Sequence, residues 1–432
     1  MNKQNINIMK AIVLVLFITI SFFVNAQEIE KVADALVSPK LAQQVITVGG
    51  PKAQISGFTN QSIQFAIDAV AKTGGIVKLN PGIYVLKAPI KMKSNVQLIG
   101  AGKETILKRG SGVQTRYIVD ADFGELKLTV ENADGFEIGM KVQVTDDENS
   151  GCWNVSAAYI SDIVDNMIYI DKGLIRDYRA DKNGLVSNAS SVIEAIDVEN
   201  VLVYNLTADG NRTENFFADG CNSAGILILR SKKVIVDNVH VKDFNGEGIS
   251  WQITENVTIK NSEISGSGNT GLHPGTGSPF SVIEKNDIHH NDRDGLFICW
   301  RVYQSRVSNN KMHHNGRFGI CTGHKDTDVI FSENQIFNNK SDGVNLRGET
   351  EPNAPHRNTF VKNTIEDNGS DGGGYGFSVN SQAKDLLLKD NIFKNSAKTQ
   401  KAAIYIYKGG STPKLENNQF EKHELGEMVS EK

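Results

Sequence analysis

The chain of 432 residues is poor in proline, cysteine and long apolar stretches, and its charges nearly cancel. Nine prolines against 40 glycines indicate many tight turns and few rigid breaks. A formal net charge of −4 argues against a nucleic-acid-binding protein, because such proteins neutralise phosphates with an excess of Lys and Arg. After the N-terminal segment, no stretch approaches the roughly 20 apolar residues that cross a bilayer. We therefore expect no membrane span and no nucleic-acid partner.

Cysteine is too scarce for a disulfide scaffold, and its spacing lacks the CxxC pattern of zinc sites. One disulfide is compatible with an oxidising compartment, but the spacing does not select a pair among Cys152, Cys221, Cys299 and Cys321. The pairs His289-His290 and His313-His314 have no carboxylate or cysteine at ligand spacing. We interpret them as turn or surface residues and predict no metal site.

The N-terminus has the pattern of a targeting segment. Lys3 and Lys10 precede an apolar run from Ala11 to Val24, and Ala26 offers a small residue for cleavage. The run is short for a spanning helix. The sequence thus predicts a signal peptide over 1–26 and export to the periplasm or outside the cell, with an N-terminal membrane anchor as the alternative.

Three further segments follow from hydrophobic periodicity. Residues 27–110 are predicted to form an N-terminal cap and the first coils, with an amphipathic helix over 61–72 and short strands after it. Residues 111–195 contain alternating stretches such as Lys141 to Val144, which predict an inserted antiparallel β-rich module. Residues 196–425 carry a repeat.

The repeat is marked by two features with the same period. Glycines before an apolar residue recur at intervals of 23, 24, 24, 24 and 33 residues, at Gly248, Gly271, Gly295, Gly319, Gly343 and Gly376. Asparagines recur in step, at Asn286, Asn310, Asn334, Asn363, Asn391 and Asn418. Each repeat holds short β-type runs and no helix-length 3.6-residue pattern. The predicted fold is all-β, a parallel β-helix solenoid whose asparagines bond from coil to coil.

Counting from each glycine predicts which side chains face outward. Positions +1 and +3 are mostly apolar and are expected in the core, so positions −1, +2 and +4 point away from it. The outward positions and the turns after them form the candidate site. Its predicted catalytic residues are His273, Arg301, His324 and Lys325, and its predicted substrate-binding residues are Glu247, Gln252, Asp294, Trp300, Asp326, Asp342 and Arg347.

The repeats over roughly 45–110 and 196–425 resemble the pectate-lyase-like superfamily of right-handed β-helices, which includes polysaccharide lyases, uronan epimerases and glycoside hydrolases. Leu272-His273-Pro274, with Arg301 on the next coil, is similar to the mannuronan C5-epimerase arrangement, although those enzymes have Asp-Pro-His. The resemblance implies that His273 is catalytic and that Arg301 binds a carboxylate. The paired Asp and Arg-x-Lys motifs of polygalacturonase-type hydrolases are absent from the sequence.

The first functional hypothesis is β-elimination on a uronic acid in an acidic poly- or oligosaccharide, giving a 4,5-unsaturated uronate. Elimination needs cations at the carboxylate, a base near C5 and an acid for the O4 leaving group. Arg301 suits the carboxylate and Lys325 the developing charge. His273 and His324 suit the base and the acid, in either order. The leaving group is a sugar in a lyase and water in a dehydratase.

Two alternatives stay open. Glu247, Asp294 and Asp342 share column −1, and members two coils apart lie about 9.6 Å apart, near the upper limit for an inverting glycoside hydrolase. A non-catalytic carbohydrate-binding β-helix would instead use aromatic platforms such as Trp251, Trp300 and Tyr405. The sequence requires no cofactor, and Ca²⁺ is compatible with the Asp residues. Neither the uronan nor the oligomeric state follows from the sequence.

Overall fold

A computed structural model describes residues 44–431 of the chain. The predicted signal peptide, 1–26, lies outside the described residues, as does the start of the predicted cap. The described chain winds through coils that each contribute strands to three long parallel sheets. The predicted parallel β-helix is confirmed.

The strands of the three sheets are short, as expected for chain that turns after every few residues. Sheet 1 contains Val45–Val48, Gly75–Leu79, Val96–Ile99, Glu199–Tyr204, Lys232–Asp237, Glu255–Lys260, Val282–Glu284, Arg306–Ser308, Ile330–Ser332, Thr359–Val361, Leu387–Lys389 and Lys414–Glu416. Sheet 2 contains Gly82–Leu86, Thr105–Arg109, Thr207–Asp209, His240–Lys242, Glu263–Ser265, Asp287–His289, Lys311–His313, Gln335–Phe337, Thr364–Glu366, Ile392–Lys394 and Gln419–Phe420. Sheet 3 contains Ile90–Lys91, Ile193–Ile196, Ala224–Leu229, Glu247–Gln252, Leu272–Gly275, Leu296–Phe297, Ile320–Thr322, Val344–Leu346, Phe377–Val379, Ala402–Ile406 and Gly426–Ser430.

The predicted capping helix is present over Asn60–Ala71. Thr59 caps its N-terminus, where the side-chain oxygen accepts a hydrogen bond from the Ser62 amide at 3.3 Å. Ile63, Ile67 and Val70 are fully buried in the same core as the first coils. The helix therefore covers the apolar end of the coil stack.

The inserted module is a separate six-stranded antiparallel sheet. Its strands are Gln114–Arg116, Lys127–Thr129, Lys141–Thr145, Ser156–Val164, Met167–Ile170 and Leu185–Asn188, and short 3₁₀ turns lie at Cys152–Asn154 and Ala180–Lys182. The module has its own hydrophobic core. A third 3₁₀ turn, Arg212–Glu214, follows it within the coils.

The predicted coil register is confirmed by the strand pairing. Leu272, Leu296 and Ile320 stack on one another in sheet 3 and are fully buried. Position +3 is likewise buried at Trp251, which excludes this residue as a surface platform for sugars.

Two side-chain ladders connect the coils. The predicted ladder is confirmed: the Asn310 Nδ2 donates to Asn334 Oδ1 at 3.0 Å, and the same bond recurs along the whole series. A second ladder, which was not predicted, joins Asn291, Asn315, Asn339, Asn368 and Gln400. Both ladders satisfy buried amides at turns where the sheet hydrogen bonds are interrupted.

Within residues 44–431, no helix is long and apolar enough to cross a membrane.

Candidate active site

A pocket of about 500 Å³ lies where a loop of the module crosses the outer face of sheet 3. The module contributes one wall, and four successive coils contribute the floor and the other wall. Its lining consists of Gly151, Cys152, Trp153, Asn154, Asp219, Cys221, Glu247, Asn269, Thr270, His273, Thr276, Arg293, Phe297, Cys299 and Trp300.

The loop over the pocket, which we call the strap, comprises residues Gly151–Asn154. A disulfide joins Cys152 in the strap to Cys221, which precedes the sheet 3 strand Ala224–Leu229. The Trp153 indole donates to Thr276 Oγ1 at 3.2 Å across the pocket. Cys299 and Cys321 stay free, with Cys299 half-buried in the pocket wall. The pairing that the sequence left open thus attaches the module to the coils.

Glu247 and His273 form a buried pair in the floor of the pocket. Glu247 Oε1 lies 3.5 Å from His273 Nδ1, and the two side chains are 6% and 8% exposed. Asn269 donates to the same Oε1 at 3.0 Å. Gly220 is required beneath this pair, because a Cβ there would lie 2.0 Å from the Glu247 carboxyl carbon.

Several polar atoms at this pair have no hydrogen-bond partner within the described protein. They are Glu247 Oε2, both ring nitrogens of His273 and Asn269 Oδ1. Buried polar atoms without partners are costly and rare. Glu247, His273 and Asn269 all line the pocket, so a group that enters it lies next to these side chains.

The protonation of the pair is set by opposing effects. Burial lowers the pKa of His273, but the contacts with the Cys299 thiol and the Glu247 carboxylate outweigh it and raise the pKa to about 9. Burial raises the pKa of Glu247 above its ordinary value, and the neighbouring His273 opposes this effect. At neutral pH the His273 ring is therefore in its doubly protonated, cationic form, and the Glu247 carboxylate is more basic than an exposed one.

Aromatic and cationic groups surround the pair. The Phe297 ring, one coil after His273, lies 5.2 Å from the His273 ring. The Arg347 guanidinium, two coils after Phe297, lies 4.6 Å from the Phe297 ring centroid. Trp300, which is 48% exposed, and the exposed Arg293 lie in the pocket wall. The pocket thus offers a ring-sized apolar surface beside a cation.

Of the predicted catalytic residues, only His273 lies in the pocket. Arg301 and Lys325 are exposed on the turns after sheet 3. His324, on the same turn as Lys325, has its Nδ1 at 3.2 Å from Glu349 Oε2 and its ring at 5.1 Å from the Trp300 ring. Arg301, His324 and Lys325 therefore lie outside the pocket, on the turns next to the exposed Trp300.

Among the predicted substrate-binding residues, Glu247 and Trp300 line the pocket. The others make contacts within the protein. Asp294 accepts two hydrogen bonds from Arg317, and Asp342 accepts from the Tyr375 amide and the Ser378 hydroxyl.

Asp326, Gln252 and Arg347 also have protein partners. Asp326 accepts from the amides of Val302 and Gly323 at 3.1 and 2.8 Å. Gln252 is fully buried and donates to the Ser250 hydroxyl, whereas Arg347 donates to the Ile298 carbonyl at 2.9 Å. These side chains support the sheet 3 turns rather than lining the pocket.

Sequence reasoning predicted three of the lining residues, Glu247, His273 and Trp300, and missed the others, which include Trp153, Asp219, Asn269, Arg293, Phe297 and Cys299. Phe297 was within reach, because it occupies position +2 one coil after His273. Trp153 and Asp219 were not, because the disulfide that brings their segments together has no local sequence pattern.

In the part of the chain that the structure describes, one group of three residues has the geometry to share a metal ion: Cys152, Asp219 and Cys221. The disulfide between its two cysteines removes both thiols as ligands. This group is therefore not a metal site.

Family comparison identifies the fold. A model described as "right handed beta helix region" matches residues 183–360 and 256–420, which together make up more than half of the chain. The chain belongs to the right-handed β-helix family. A second model, described as "rhamnogalacturonase A/epimerase, pectate lyase-like", matches residues 50–219 of this β-helix protein. The predicted superfamily and the right-handed winding are confirmed.

Solved structures of low sequence identity share the fold. The A-module of a mannuronan C-5 epimerase from Azotobacter vinelandii aligns at 19% identity and a TM-score of 0.53, over 86% of this chain and 93% of its own. An exopolygalacturonase from Thermotoga maritima aligns at 14% identity and a TM-score of 0.54, over 93% and 95%. No curated protein matches the sequence significantly.

Proposed function

We propose that this β-helix protein is an enzyme of acidic carbohydrate breakdown, which eliminates the O4 substituent of a uronic acid residue and leaves a 4,5-unsaturated uronate. The observation that carries the proposal is the buried Glu247–His273 pair, which lines one pocket together with Arg293 and includes polar atoms without a hydrogen-bond partner. The family of its N-terminal half, which includes epimerase and pectate-lyase-like members by its description, supports a carbohydrate substrate.

The protonation of the pair assigns the two proton transfers. Glu247 takes the C5 proton, the electrons of the C5–H bond form the C4=C5 double bond, and the C4–O4 bond breaks. His273, which carries a proton at neutral pH, gives it to the departing O4. The contact at 3.5 Å then lets the new Glu247 proton return to His273 and resets the pair.

The substrate carboxylate becomes more negative as the C5 proton leaves, so it needs a cation. Arg293 lies in the pocket wall, and no ion pair of its side chain occurs among the described residues. Arg301 is exposed beside Trp300 and is the second cation for this role. The sequence assigned the carboxylate to Arg301 alone, and the proposal adds Arg293 as the cation within the pocket.

The test is a screen of pectin-, alginate- and ulvan-type oligosaccharides, with ultraviolet absorbance of the conjugated product and mass spectrometry as readouts. We expect absorbing product, which Glu247→Gln and His273→Asn lower by about 10²–10⁴-fold in kcat. His314→Asn, directly after the sheet 2 strand Lys311–His313 and outside the pocket, is the matched control and retains full turnover. His324→Asn tests whether the second histidine predicted from the sequence is also catalytic, and we expect this variant to keep most of the activity.

Product mass distinguishes the leaving groups. Loss of one water from an intact oligosaccharide means dehydration at a terminal uronate, and two shorter products mean chain cleavage. If no uronan gives an absorbing product, or if the Glu247 and His273 variants keep full turnover, elimination at this pocket is wrong.

A second candidate is glycoside hydrolysis, which one observation favours. Asp219 lies in the pocket wall with Glu247, so two carboxyl groups face the same space. The Asp219 oxygens accept from the backbone amides of Cys152 and Cys221 at 2.8 and 2.9 Å, which fixes this carboxyl group in the pocket wall. New reducing ends without ultraviolet absorbance would identify hydrolysis.

A further inference from the structure

The strap closes one side of the pocket. Trp153 packs against the apolar outer face of the sheet 3 strand Ala224–Leu229, where Ala224, Leu227 and Leu229 are buried. Its indole then reaches over to Thr276 on the following coils. Trp153 therefore fills the space through which a chain running along the coil stack would have to pass.

The strap is fixed at both ends. At its start, the strap is held by the Cys152–Cys221 disulfide and by Asn222, whose side-chain Nδ2 donates to the Cys152 carbonyl at 3.0 Å. At its end, the Tyr178 hydroxyl donates to the Asn154 carbonyl at 2.8 Å. Moving the backbone of the strap would require breaking these contacts together, and the Trp153 side chain is held by its packing on sheet 3 and its bond to Thr276. The strap is therefore a fixed wall and not a lid.

The two directions along sheet 3 from the pocket differ in accessibility. Toward the N-terminal coils, Leu227 and Glu194 are covered, at 0% and 1% exposure. On the other side Trp300 is 48% exposed, and Arg301 and Lys325 are exposed on the turns beyond it. The pocket is therefore blind at the strap and open toward Trp300.

We infer that the enzyme acts on chain ends: the terminal uronate occupies the pocket against Trp153, and the rest of the chain leaves over Trp300. This inference rests on the proposed function, because it places the reacting residue at the Glu247–His273 pair. A chain bound through its interior would need space on both sides of that pair. The strap leaves space on one side only.

The experiment compares wild-type protein with Trp153→Ala on polygalacturonate, alginate and ulvan. Wild type is expected to act from one end, so that solution viscosity stays nearly constant while absorbing product accumulates in a single size. Trp153→Ala opens the blind end, and internal cleavage then gives a ladder of product sizes at low conversion. Trp153→Phe, which keeps a ring against Leu227 but loses the bond to Thr276, is the matched control and retains the single product.

Binding provides a readout that does not depend on turnover. Equal masses of polymer and of its short fragments are titrated into Glu247→Gln protein by calorimetry. Terminal recognition predicts a capacity that rises with the number of chain ends, whereas internal recognition predicts a capacity that follows total mass.

The outcomes separate this inference from the proposed function. Absorbing product in a size ladder from wild type overturns end recognition and leaves elimination in place. An unchanged single product in Trp153→Ala overturns the claim that Trp153 closes the pocket and leaves elimination in place. Binding in proportion to chain ends without absorbing product supports end recognition and overturns elimination. Neither product nor binding overturns both.

Discussion

At the scale of single residues, the pocket depends on a proton that is held against the effect of burial. A buried imidazole ordinarily loses its proton. His273 keeps it because its interactions with Cys299 and Glu247 outweigh the effect of burial and raise its pKa to about 9. As a consequence, the decrease in activity at alkaline pH can be assigned to His273.

The pH profile of kcat/KM, which reports the pKa values of the free enzyme, is expected to fall on both sides. On the alkaline side, activity falls as pH rises through about 9, because His273 loses the proton that it must donate. On the acid side, it falls through the pKa of Glu247, which burial holds above its ordinary value, because the base becomes protonated. Kinetics from pH 4 to about 10 measure both limbs.

Cys299→Ala tests this origin without removing either reacting group. Loss of the thiol removes one of the contacts that raise the pKa of His273, so the alkaline limb should move to lower pH while turnover at pH 7 is retained. Cys321→Ala, which removes a buried thiol one coil further on, is the control and should leave the limb in place. An alkaline limb that stays near pH 9 in Cys299→Ala would contradict the assignment.

The predictable part of the site follows from the coil register. Glu247, His273 and Trp300 belong to sheet 3 strands or to the turn after one, and the repeat alone places them on one face. Asp294 and Asp342 follow the same register, and Asp326 lies on the turn after a sheet 3 strand, yet their oxygens are taken by protein donors. Register predicts the direction of a side chain, but not whether a neighbouring coil supplies its partner.

At the scale of elements, the asparagine ladder holds the coil turns. Asn310 Oδ1 accepts from the backbone amide and the side chain of Asn286, and its Nδ2 donates to Ile283 O and Asn334 Oδ1. Each of these four bonds lies in the interior, where a lost partner leaves an unsatisfied group.

Asn310→Ala is expected to lower the free energy of unfolding by about 3 kcal/mol, since several buried bonds of about 1 kcal/mol each are lost and their partners stay buried. Denaturant unfolding measures it. Lys311→Ala, at the exposed neighbouring position, is the control and should change stability by less than about 0.5 kcal/mol. Equal effects of the two substitutions would show that the ladder adds no stability.

The order of the strands could be predicted from the sequence because every coil must bury apolar side chains at the same positions and satisfy its turn amides. The asparagine spacing and the apolar positions therefore determine the sheets and the first ladder. The second ladder has the same 24-residue steps from Asn291 to Asn339, and it could have been found from the sequence in the same way. The strap has no such repetition, so neither its position nor its function could be derived from period.

At the scale of the whole molecule, the module is held to the coils by a buried charge cluster as well as by the disulfide. Lys141 Nζ lies 2.9 Å from Glu194 Oε1, and both side chains are at most 5% exposed. The Tyr159 hydroxyl also donates to Glu194, and Lys91 lies over the Tyr159 ring at 3.2 Å. Lys141 and Tyr159 of the module thus contact Glu194 and Lys91 of sheet 3.

Lys141→Met is expected to destabilise the protein by about 3–5 kcal/mol, because Glu194 is left buried without its cation. Adding Glu194→Leu should recover part of this loss, since the double variant has no unpaired charge. Thermal unfolding of the two variants measures the difference. Arg179→Ala, which breaks an exposed ion pair with Asp181, is the control and should be nearly neutral. A double variant less stable than Lys141→Met would refute the account.

The antiparallel pairing within the module also has a consequence for the entropy of loop closure. Asn95 and Asn200 lie on neighbouring coils although 105 residues separate them, because the module is inserted between them. Within the module Gln114 pairs with Ser187, which bypasses 73 of those residues and leaves 32, close to the 33 of the following coil from Asp197 to Arg230. An unstructured insertion of the same length would cost about 1 kcal/mol more to close. By returning the chain next to its point of departure, the module allows the solenoid to accommodate a second domain at almost no topological cost.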